Sequence, residues 1–419
     1  MNPRNPVWHP FTQHGLGEPI PLVARSEGAA IFTADGRRIV DAISSWWVIT
    51  HRHRHPRIMA AIARQTETLD QIIFAGWTHE PAEALARALV DITPAPLEHV
   101  FFSDSGSTSV EVALKMALGY WLNRGEPRHR ILVMEHSYHG DTIGAMSVGA
   151  RGVFNQAYAP LLFDVETVPF PAAGAQQATL DALESLCRAE PKPAAFIVEP
   201  LILGAGGMLI YPPSVLAEMR AICARHAVLF IADEVMTGWG RTGTLLACEQ
   251  AGIAPDIICL SKGLTGGAMP LAATLATAAV YDAHFSTDRA KLFYHSSSYT
   301  ANPIACAAAN ANLEIWRDEP VLDRIATLAA EQEKRLAALD HPAIMNRRRI
   351  GTITAMEFRA PSEGYLSEIG PRLTGFFRDR GLLLRAMGNT VYVMPPYCID
   401  TADLDRIYAA IGDAADALP

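Results

Sequence analysis

The sequence predicts an α/β protein in which a large domain, with a mostly parallel sheet between helices, is joined to a small α+β domain. Half of the 419 residues are hydrophobic and 19% are charged, which is typical of a globular chain with a large core. Short, continuously apolar runs alternate with helical stretches, as expected for parallel strands covered on both faces. Beyond about residue 310 the pattern changes to a long helix followed by shorter strands.

The N-terminal part predicts two short strands. Residues 28–32 and 38–42 have strand-like composition and flank a turn at Asp35-Gly36. Helical patterning begins near Pro56. We expect three segments, namely residues 1–55 contributing to the small domain, residues 56–310 forming the large domain and residues 311–419 completing the small one.

The large domain is predicted from its apolar runs. Five runs predict its strands, at residues 99–102, 130–134, 194–198, 228–231 and 257–260. A helix is predicted from Ser107, because apolar residues recur at helical spacing as far as Trp121. The uncharged stretch 263–281 is long enough to span a membrane, but its glycines, threonines and Pro270 favour a buried loop and a strand.

Charge and cysteine usage argue against several classes of protein. The net charge of −9 argues against a general nucleic-acid binder, and the basic run 347–349 is interpreted as a solvated loop. The six cysteines form no C-x-x-C pair, so no metal site is indicated. Because the first residues lack the apolar core of a signal peptide, we expect a cytoplasmic chain without a membrane segment.

The pairing of Lys262 with Asp233, at the ends of two successive predicted strands, is the most informative feature of the sequence. A lysine amine can hold pyridoxal phosphate (PLP) as a Schiff base, and an aspartate can keep the pyridine nitrogen protonated. Each residue alone is more often an exposed turn or a cap. Lys262 is one of only five lysines and is the only one in a glycine-rich apolar setting, so the pair is interpreted as a PLP site.

Two further motifs follow strands of the same predicted sheet, at the edge where ligands of α/β proteins bind. Ser105, Gly106 and Ser107 open the predicted helix, where backbone amides could hold a phosphate; the alternative is a plain helix cap. Tyr138 and His139 follow the strand that ends at Met134, and the ring of Tyr138 could stack on a cofactor; the alternative is a tight turn.

Arg241 lies in the glycine-rich segment 238–243, a few residues after Asp233. Its planar guanidinium could bind a substrate carboxylate through two hydrogen bonds. The alternative interpretation is an arginine in a surface turn.

Taken in order, the spans 138–142, 232–243 and 260–267 resemble the signatures of the class III aminotransferases of PLP fold type I, and the resemblance extends over nearly the whole chain. It implies a large domain with a mostly parallel seven-stranded sheet, a small α+β domain and PLP as cofactor. It also implies a homodimer in which each subunit completes the other's site.

Within that family, the chain resembles the adenosylmethionine–8-amino-7-oxononanoate aminotransferases. The segments that carry this resemblance are 8–12 (WHPFT), 44–47 (SSWW), 138–142 (YHGDT) and 394–397 (MPPY). The resemblance implies a ping-pong transfer of an amino group from S-adenosylmethionine to 8-amino-7-oxononanoate, giving 7,8-diaminononanoate in biotin biosynthesis.

The resemblance also implies a role for each matching residue. Lys262 would bind PLP covalently, Asp233 would pair with its ring nitrogen and Tyr138 would stack on the ring. The other implied cofactor-binding residues are Ser105, Gly106, Ser107 and His139, with Ser297 and Ser298 reaching the phosphate of the neighbouring subunit. The implied substrate-binding residues are Phe11, Trp46, Asp141, Arg241 and Arg385.

Two departures from the family pattern bear on function. Ser297 and Ser298 stand where Pro-Thr is usual, although Ser298 keeps a hydroxyl. Phe11 stands where many members have tyrosine, which removes a hydroxyl from the substrate wall and leaves the amino donor open between S-adenosylmethionine and lysine. The loss of one hydrogen bond in a buried pocket costs about 1–3 kcal/mol.

Two rival functions are weighed against this one. A general ω-amino-acid:pyruvate aminotransferase would share Lys262 and Asp233, but the segments 44–47 and 394–397 argue against it. A PLP-binding transcription regulator would need a helix-turn-helix arm and a basic surface, which the short N-terminus and the acidic balance do not provide.

Overall fold

In a computed structural model, which describes residues 6–362 and 364–418, strands occur throughout the chain. The strands are β1 (Val23–Glu27), β2 (Ala30–Thr33), β3 (Arg38–Asp41), β4 (Leu97–Ser103), β5 (Arg130–Met134), β6 (Glu166–Val168), β7 (Pro193–Val198), β8 (Ile202–Leu203), β9 (Leu209–Ile210), β10 (Leu229–Asp233), β11 (Ile257–Leu260), β12 (Ala272–Thr277), β13 (Ile344–Ile350), β14 (Ile353–Phe358), β15 (Leu382–Leu383) and β16 (Thr390–Val393).

Helices separate most of these strands. They are α1 (Ser44–Trp47), α2 (Pro56–Thr66), α3 (Glu80–Ile92), α4 (Gly106–Asn123), α5 (Ile143–Ser147), α6 (Gln176–Arg188), α7 (Pro213–Arg225), α8 (Ala278–Asp282), α9 (Pro303–Asp318), α10 (Val321–Ala338), α11 (Ile369–Asp379) and α12 (Thr401–Ala417). Short 3₁₀ turns lie between them, including Lys262–Thr265, which begins two residues after the end of β11.

The large sheet has seven strands in the order β4-β12-β11-β10-β7-β5-β6, and β12 alone runs antiparallel to its neighbours. Every residue of β7 is buried. Phe196 faces one hydrophobic cluster, whereas its neighbours Ala195 and Ile197 face another on the opposite side of the sheet. A strand that is buried on both sides needs a continuous apolar sequence, as β7 has. The predicted α/β fold with a mostly parallel sheet is confirmed.

Within the described residues, β8 and β9 pair in a two-stranded sheet, and two further small sheets lie outside the large one. One is antiparallel, in the order β13-β14-β16, and the other has the order β1-β2-β3-β15. In the second sheet the C-terminal strand β15 pairs in parallel with β3, with Leu382 opposite Val40. N-terminal and C-terminal segments thus share a sheet, while the boundaries at residues 55 and 310 stay predictions.

Two expectations from the sequence are corrected. The long helix expected after residue 310 is two helices, α9 and α10, because Pro320 cannot continue a helix and forces Glu319 into an extended conformation (φ −115°, ψ 152°). The basic run 347–349 is not a loop but lies in β13. Arg348 donates to the carbonyl oxygen of Met208 (2.8 Å), and Arg349 pairs with Glu333 (3.0 Å).

The uncharged stretch 263–281 forms a 3₁₀ turn, a loop, the buried strand β12 and most of α8. The loop and the strand agree with the prediction, whereas the short helix α8 was not predicted. Among the described residues, no helix has the length and apolar character needed to cross a membrane.

Candidate active site

The loops that follow β10 and β11 meet the start of α4 at one edge of the large sheet. Asp233 ends β10, Lys262 comes two residues after β11, and Gly106 begins α4. All three line a cavity of about 140 Å³, together with Tyr138 and His139. Residues that lie far apart in the sequence thus meet at the carboxyl ends of neighbouring strands, where ligands of α/β proteins bind.

Lys262 is held in an unusual backbone conformation, with φ +45°, at the start of its 3₁₀ turn. Burial lowers the pKa of its amine, and the nearby carboxylates of Asp233 and Glu199 oppose this shift. The Nζ atom lies 5.2 Å from the centroid of the Trp47 ring. A buried amine with a lowered pKa can accept and return protons, as a covalent PLP lysine must.

Asp233 is buried and is oriented by two hydrogen bonds. Its Oδ2 lies 2.7 Å from Nδ1 of His139, and its Oδ1 accepts from the backbone N–H of Val235 (3.1 Å). The other ring nitrogen of His139, Nε2, is buried and has no hydrogen-bond partner. The two hydrogen bonds fix the direction of the Asp233 carboxylate at the wall of the cavity.

Glu199, which follows β7, is a site residue that the sequence reasoning missed. It lines the same cavity and accepts hydrogen bonds from the N–H groups of Tyr138 and Gly204, each at 3.0 Å. Complete burial raises its pKa to about 7, and the nearby Asp233 adds to the rise. The signal was available, because Glu199 follows a predicted strand just as Asp233 does.

The start of α4 forms a narrow cradle. A Cβ atom on Gly106 would lie 2.7 Å from the Val235 side chain, and one on Gly140 would lie 2.2 Å from Ser107 Oγ. The Oγ of Ser107 accepts from the backbone N–H of Asp141 (3.1 Å). The close fit and the backbone amides of Gly106 and Ser107 suit a phosphate group.

Ser105 takes the alternative role that the sequence left open. Its hydroxyl accepts from the backbone N–H of Thr108 (3.2 Å), and the Thr108 hydroxyl accepts from the Ser105 N–H (2.9 Å). This is a reciprocal helix cap. Ser105 does not line the cavity, in contrast to Gly106 and Ser107.

A second cavity, of about 410 Å³, opens next to the first and shares Trp47, Tyr138 and Lys262 with it. The predicted substrate-binding residues Phe11, Trp46, Asp141 and Arg385 line this cavity. The Arg385 guanidinium lies 4.9 Å from the Trp46 ring and 5.4 Å from the Phe11 ring. Burial and the carboxylate of Asp141 raise the pKa of Tyr138, so its hydroxyl stays protonated.

Both tryptophans of the SSWW segment reach this cavity because α1 is a single left-handed turn. All four of its residues have positive φ, from 45° to 72°. The turn is held from outside: Ser45 donates to Asp41 (2.7 Å), and Trp47 Nε1 donates to the Tyr392 hydroxyl (3.0 Å). Trp46 is 42% exposed, whereas Trp47 is 5% exposed and faces Lys262.

Arg241 is placed differently from the prediction of a substrate clamp. It is fully buried, lines neither cavity and donates to the carbonyl oxygens of Pro395 (3.1 Å), Trp47 (3.3 Å) and Ile49 (2.7 Å). Burial lowers its pKa. Because its terminal nitrogens already serve backbone oxygens, we propose that Arg241 supports the wall containing Trp47.

Ser297 and Ser298 lie away from the cavity of their own chain. Ser297 Oγ donates to Asp104 (3.2 Å), and the Ser298 carbonyl oxygen accepts from Gln71 (2.6 Å). Their contribution to the phosphate of a neighbouring subunit stays a prediction.

The residues around the smaller cavity fit PLP. The site provides a buried amine, a buried aspartate, a phosphate cradle at a helix start and a ring nitrogen of His139 without a partner. In residues 6–362 and 364–418, no three His, Cys, Asp or Glu side chains are grouped to hold a metal ion.

Comparisons with known proteins identify the family. The model of the class III aminotransferases matches residues 12–415. The adenosylmethionine-8-amino-7-oxononanoate aminotransferase of Synechococcus elongatus is 47% identical, over 98% of this chain and 99% of its own. The enzyme of that name from Mycobacterium leprae is 39% identical, over 98% of this chain and 94% of its own.

Solved structures show the same relationship. The adenosylmethionine-8-amino-7-oxononanoate aminotransferase of Methanocaldococcus jannaschii superposes with a TM-score of 0.94 at 32% identity, covering 98% of this chain and 97% of its own. A PLP-bound amine transaminase from an uncultivated Pseudomonas species superposes with a TM-score of 0.92 at 30% identity, covering 99% of both chains. The chain therefore belongs to the class III aminotransferase family, and it is a transaminase with pyridoxal phosphate as its cofactor.

Proposed function

We propose that this enzyme transfers an amino group from S-adenosylmethionine to 8-amino-7-oxononanoate in two half-reactions, giving 7,8-diaminononanoate for biotin biosynthesis. The observation that carries the proposal is the geometry of the larger cavity. The buried amine of Lys262 and the Arg385 guanidinium both line it, between aromatic walls. The names of relatives that match over nearly the whole chain support the same substrates.

The proposed roles of the residues follow from their surroundings. PLP supplies an electron sink that stabilises negative charge at the substrate carbon. Lys262, once its amine is free, moves the proton at that carbon, for which a lowered pKa is suitable. Asp233, held by His139, keeps negative charge next to the ring nitrogen, and Tyr138 provides a flat surface.

One cavity must accept two dissimilar substrates in turn. The flat rings of Trp46, Phe11 and Tyr138 can contact a substrate in more than one orientation. Arg385 binds the carboxylate that both substrates carry. The amino donor is the less constrained partner, because Phe11 offers no hydroxyl. Lysine is therefore the second candidate donor for the same acceptor. The other alternative is a general ω-amino-acid:pyruvate aminotransferase.

A single half-reaction tests the proposal. The purified PLP form is mixed with S-adenosylmethionine alone while the absorbance band of the bound cofactor is followed. Loss of the band supports the proposal. If the band is lost with lysine but not with S-adenosylmethionine, lysine is the donor and the proposed acceptor stays the same. Loss with β-alanine only would overturn the proposal in favour of a general ω-aminotransferase. A Lys262→Ala variant that is verified to be folded is the control, and it should show no conversion.

We also propose that the enzyme acts as a cytoplasmic homodimer. Tyr294 and Tyr299, which flank Ser297 and Ser298, are 65% and 63% exposed. Large exposed rings next to a segment expected to serve a neighbouring site are typical of an interface. All six cysteines are free, which suits a reducing compartment. A mass of one 45.4 kDa chain by light scattering, with full activity, would contradict the dimer.

A further inference from the structure

Tyr365 lies in the segment between β14 and α11, where the sequence showed no motif. Its hydroxyl oxygen accepts a hydrogen bond from Nη2 of Arg385 at 2.9 Å. Both side chains line the larger cavity. The Tyr365 ring is itself held by an edge contact with Phe154, at 4.4 Å between ring centroids.

Arg385 has few other partners that could fix its direction. Its remaining neighbours include the rings of Phe11 and Trp46, and a cation over a ring is attracted with little angular preference. No carboxylate in residues 6–362 or 364–418 forms an ion pair with Arg385. The Tyr365 hydroxyl is thus the directional contact of this guanidinium.

We propose that Tyr365 is a positioning residue that sets specificity for carboxylate-bearing substrates. Its oxygen holds one terminal nitrogen of Arg385, which leaves the rest of the guanidinium free to bind a carboxylate. The phenolic proton is not used in that contact and can be donated to a carboxylate oxygen. Tyr365 and Arg385 would then form a two-residue receptor.

The proposal rests on the proposed function, in which Arg385 binds the carboxylate of the substrate. It predicts a selective effect. Loss of the phenolic hydroxyl should weaken substrates that carry the carboxylate and leave the chemistry at Lys262 unchanged. A purely structural role for Tyr365 would weaken all substrates equally.

The experiment compares wild-type holoenzyme with Tyr365→Phe. The conversion of the PLP form is followed with 7,8-diaminononanoate and with 2,3-diaminooctane, which is the same diamine without its carboxylate. We expect kcat/KM for the first to fall about tenfold, as for loss of a hydrogen bond to a charged group, and kcat/KM for the second to stay within about twofold. Equal changes with both diamines, or no change with either, would overturn the proposal.

A binding measurement keeps this test independent of the proposed reaction. Nonanoate has the carboxylate and the apolar chain but no amine, and its Kd is measured by calorimetry. We expect Tyr365→Phe to raise this Kd about tenfold in the wild-type background and less than twofold in an Arg385→Gln background. Equal effects in both backgrounds would contradict a role through Arg385. If 7,8-diaminononanoate is not converted by the wild type, the proposed function fails while this measurement still decides the role of Tyr365.

The matched control is Tyr281→Phe. Tyr281 lies in α8 and stacks on His99 at 3.8 Å, and it lines neither cavity of the site. Loss of its hydroxyl should leave both diamines and the Kd of nonanoate unchanged. A similar loss with this variant would also overturn the proposal.

Discussion

The side-chain amide of Asn312 donates to the carbonyl oxygen of Gly263 at 3.1 Å, one residue after Lys262. It also donates to the Leu264 carbonyl oxygen (3.0 Å), and its Oδ1 lies 2.9 Å from Nε2 of His51. Because both amide hydrogens serve carbonyls, Oδ1 must accept, so the His51 proton sits on Nε2. Burial lowers the pKa of His51 to about 4, which keeps this ring neutral.

We expect Asn312→Asp to disturb the 3₁₀ turn that begins at Lys262. The carboxylate would place an acceptor against two carbonyl oxygens in a fully buried position, at a cost of about 3 kcal/mol. The expected result is a lower Tm and a changed pH dependence of the absorbance of the bound cofactor. Asn310→Asp, on the same helix and bonded instead to the Pro81 carbonyl, is the control. An unchanged pH dependence for Asn312→Asp would contradict a role in positioning Lys262.

Glu199 should make the stability of the cofactor-free enzyme depend on pH. Its folded-state pKa of about 7 lies above the ordinary value of 4.5, so its stabilising contribution is complete below pH 4.5 and is lost as the pH rises through 7. The size of the effect is on the order of 3 kcal/mol. Urea unfolding at pH 5 and pH 8 should show the decrease for the wild type and much less of it for Glu199→Gln. An equal change in the free energy of unfolding between pH 5 and pH 8 in both proteins would disprove the raised pKa of Glu199.

Arg241→Lys separates a supporting role from a substrate clamp. A lysine keeps the charge but cannot reach three backbone oxygens at once, so we expect a loss of stability of about 2 kcal/mol. The Kd of nonanoate should stay within twofold. A selective rise in that Kd, without loss of stability, would restore the clamp that the sequence suggested.

Phe11→Tyr tests the origin of donor preference. The added hydroxyl would enter the larger cavity next to Trp46 and Arg385. If S-adenosylmethionine offers it a hydrogen bond, kcat/KM for that half-reaction should rise about tenfold, while the half-reaction with 7,8-diaminononanoate should not change. Stopped-flow absorbance measures both, and parallel changes would show that Phe11 does not select the donor.

The fold and most of the site could be predicted because they depend on local patterns. Strands β5 and β11 begin and end where their apolar runs do, and the rule that ligands bind at strand ends located Asp233 and Lys262. The burial of Arg241 could not be predicted, because an arginine in a glycine-rich segment is usually exposed. Tyr365 was also missed, since its contact with Arg385 is made across the fold and leaves no periodic signal.

Helix α1 was beyond prediction for a different reason. L-residues disfavour left-handed turns by roughly 1–2 kcal/mol per residue, so the sequence alone argues against the observed conformation. The turn is stabilised by the local bond of Ser45 to Asp41, four residues earlier, and by the long-range bond of Trp47 to Tyr392.

The left-handed turn also determines how readily this enzyme can acquire new substrates. Residues branched at Cβ are poorly tolerated at positive φ, so few replacements at positions 44–47 leave the backbone in place. Neither Arg385 nor Tyr365 has a positive φ, so their backbone does not restrict the side chain in this way. Substitutions that change the substrate range, in nature or in a mutant library, should therefore accumulate at these two positions, while Trp46 and Trp47 are retained.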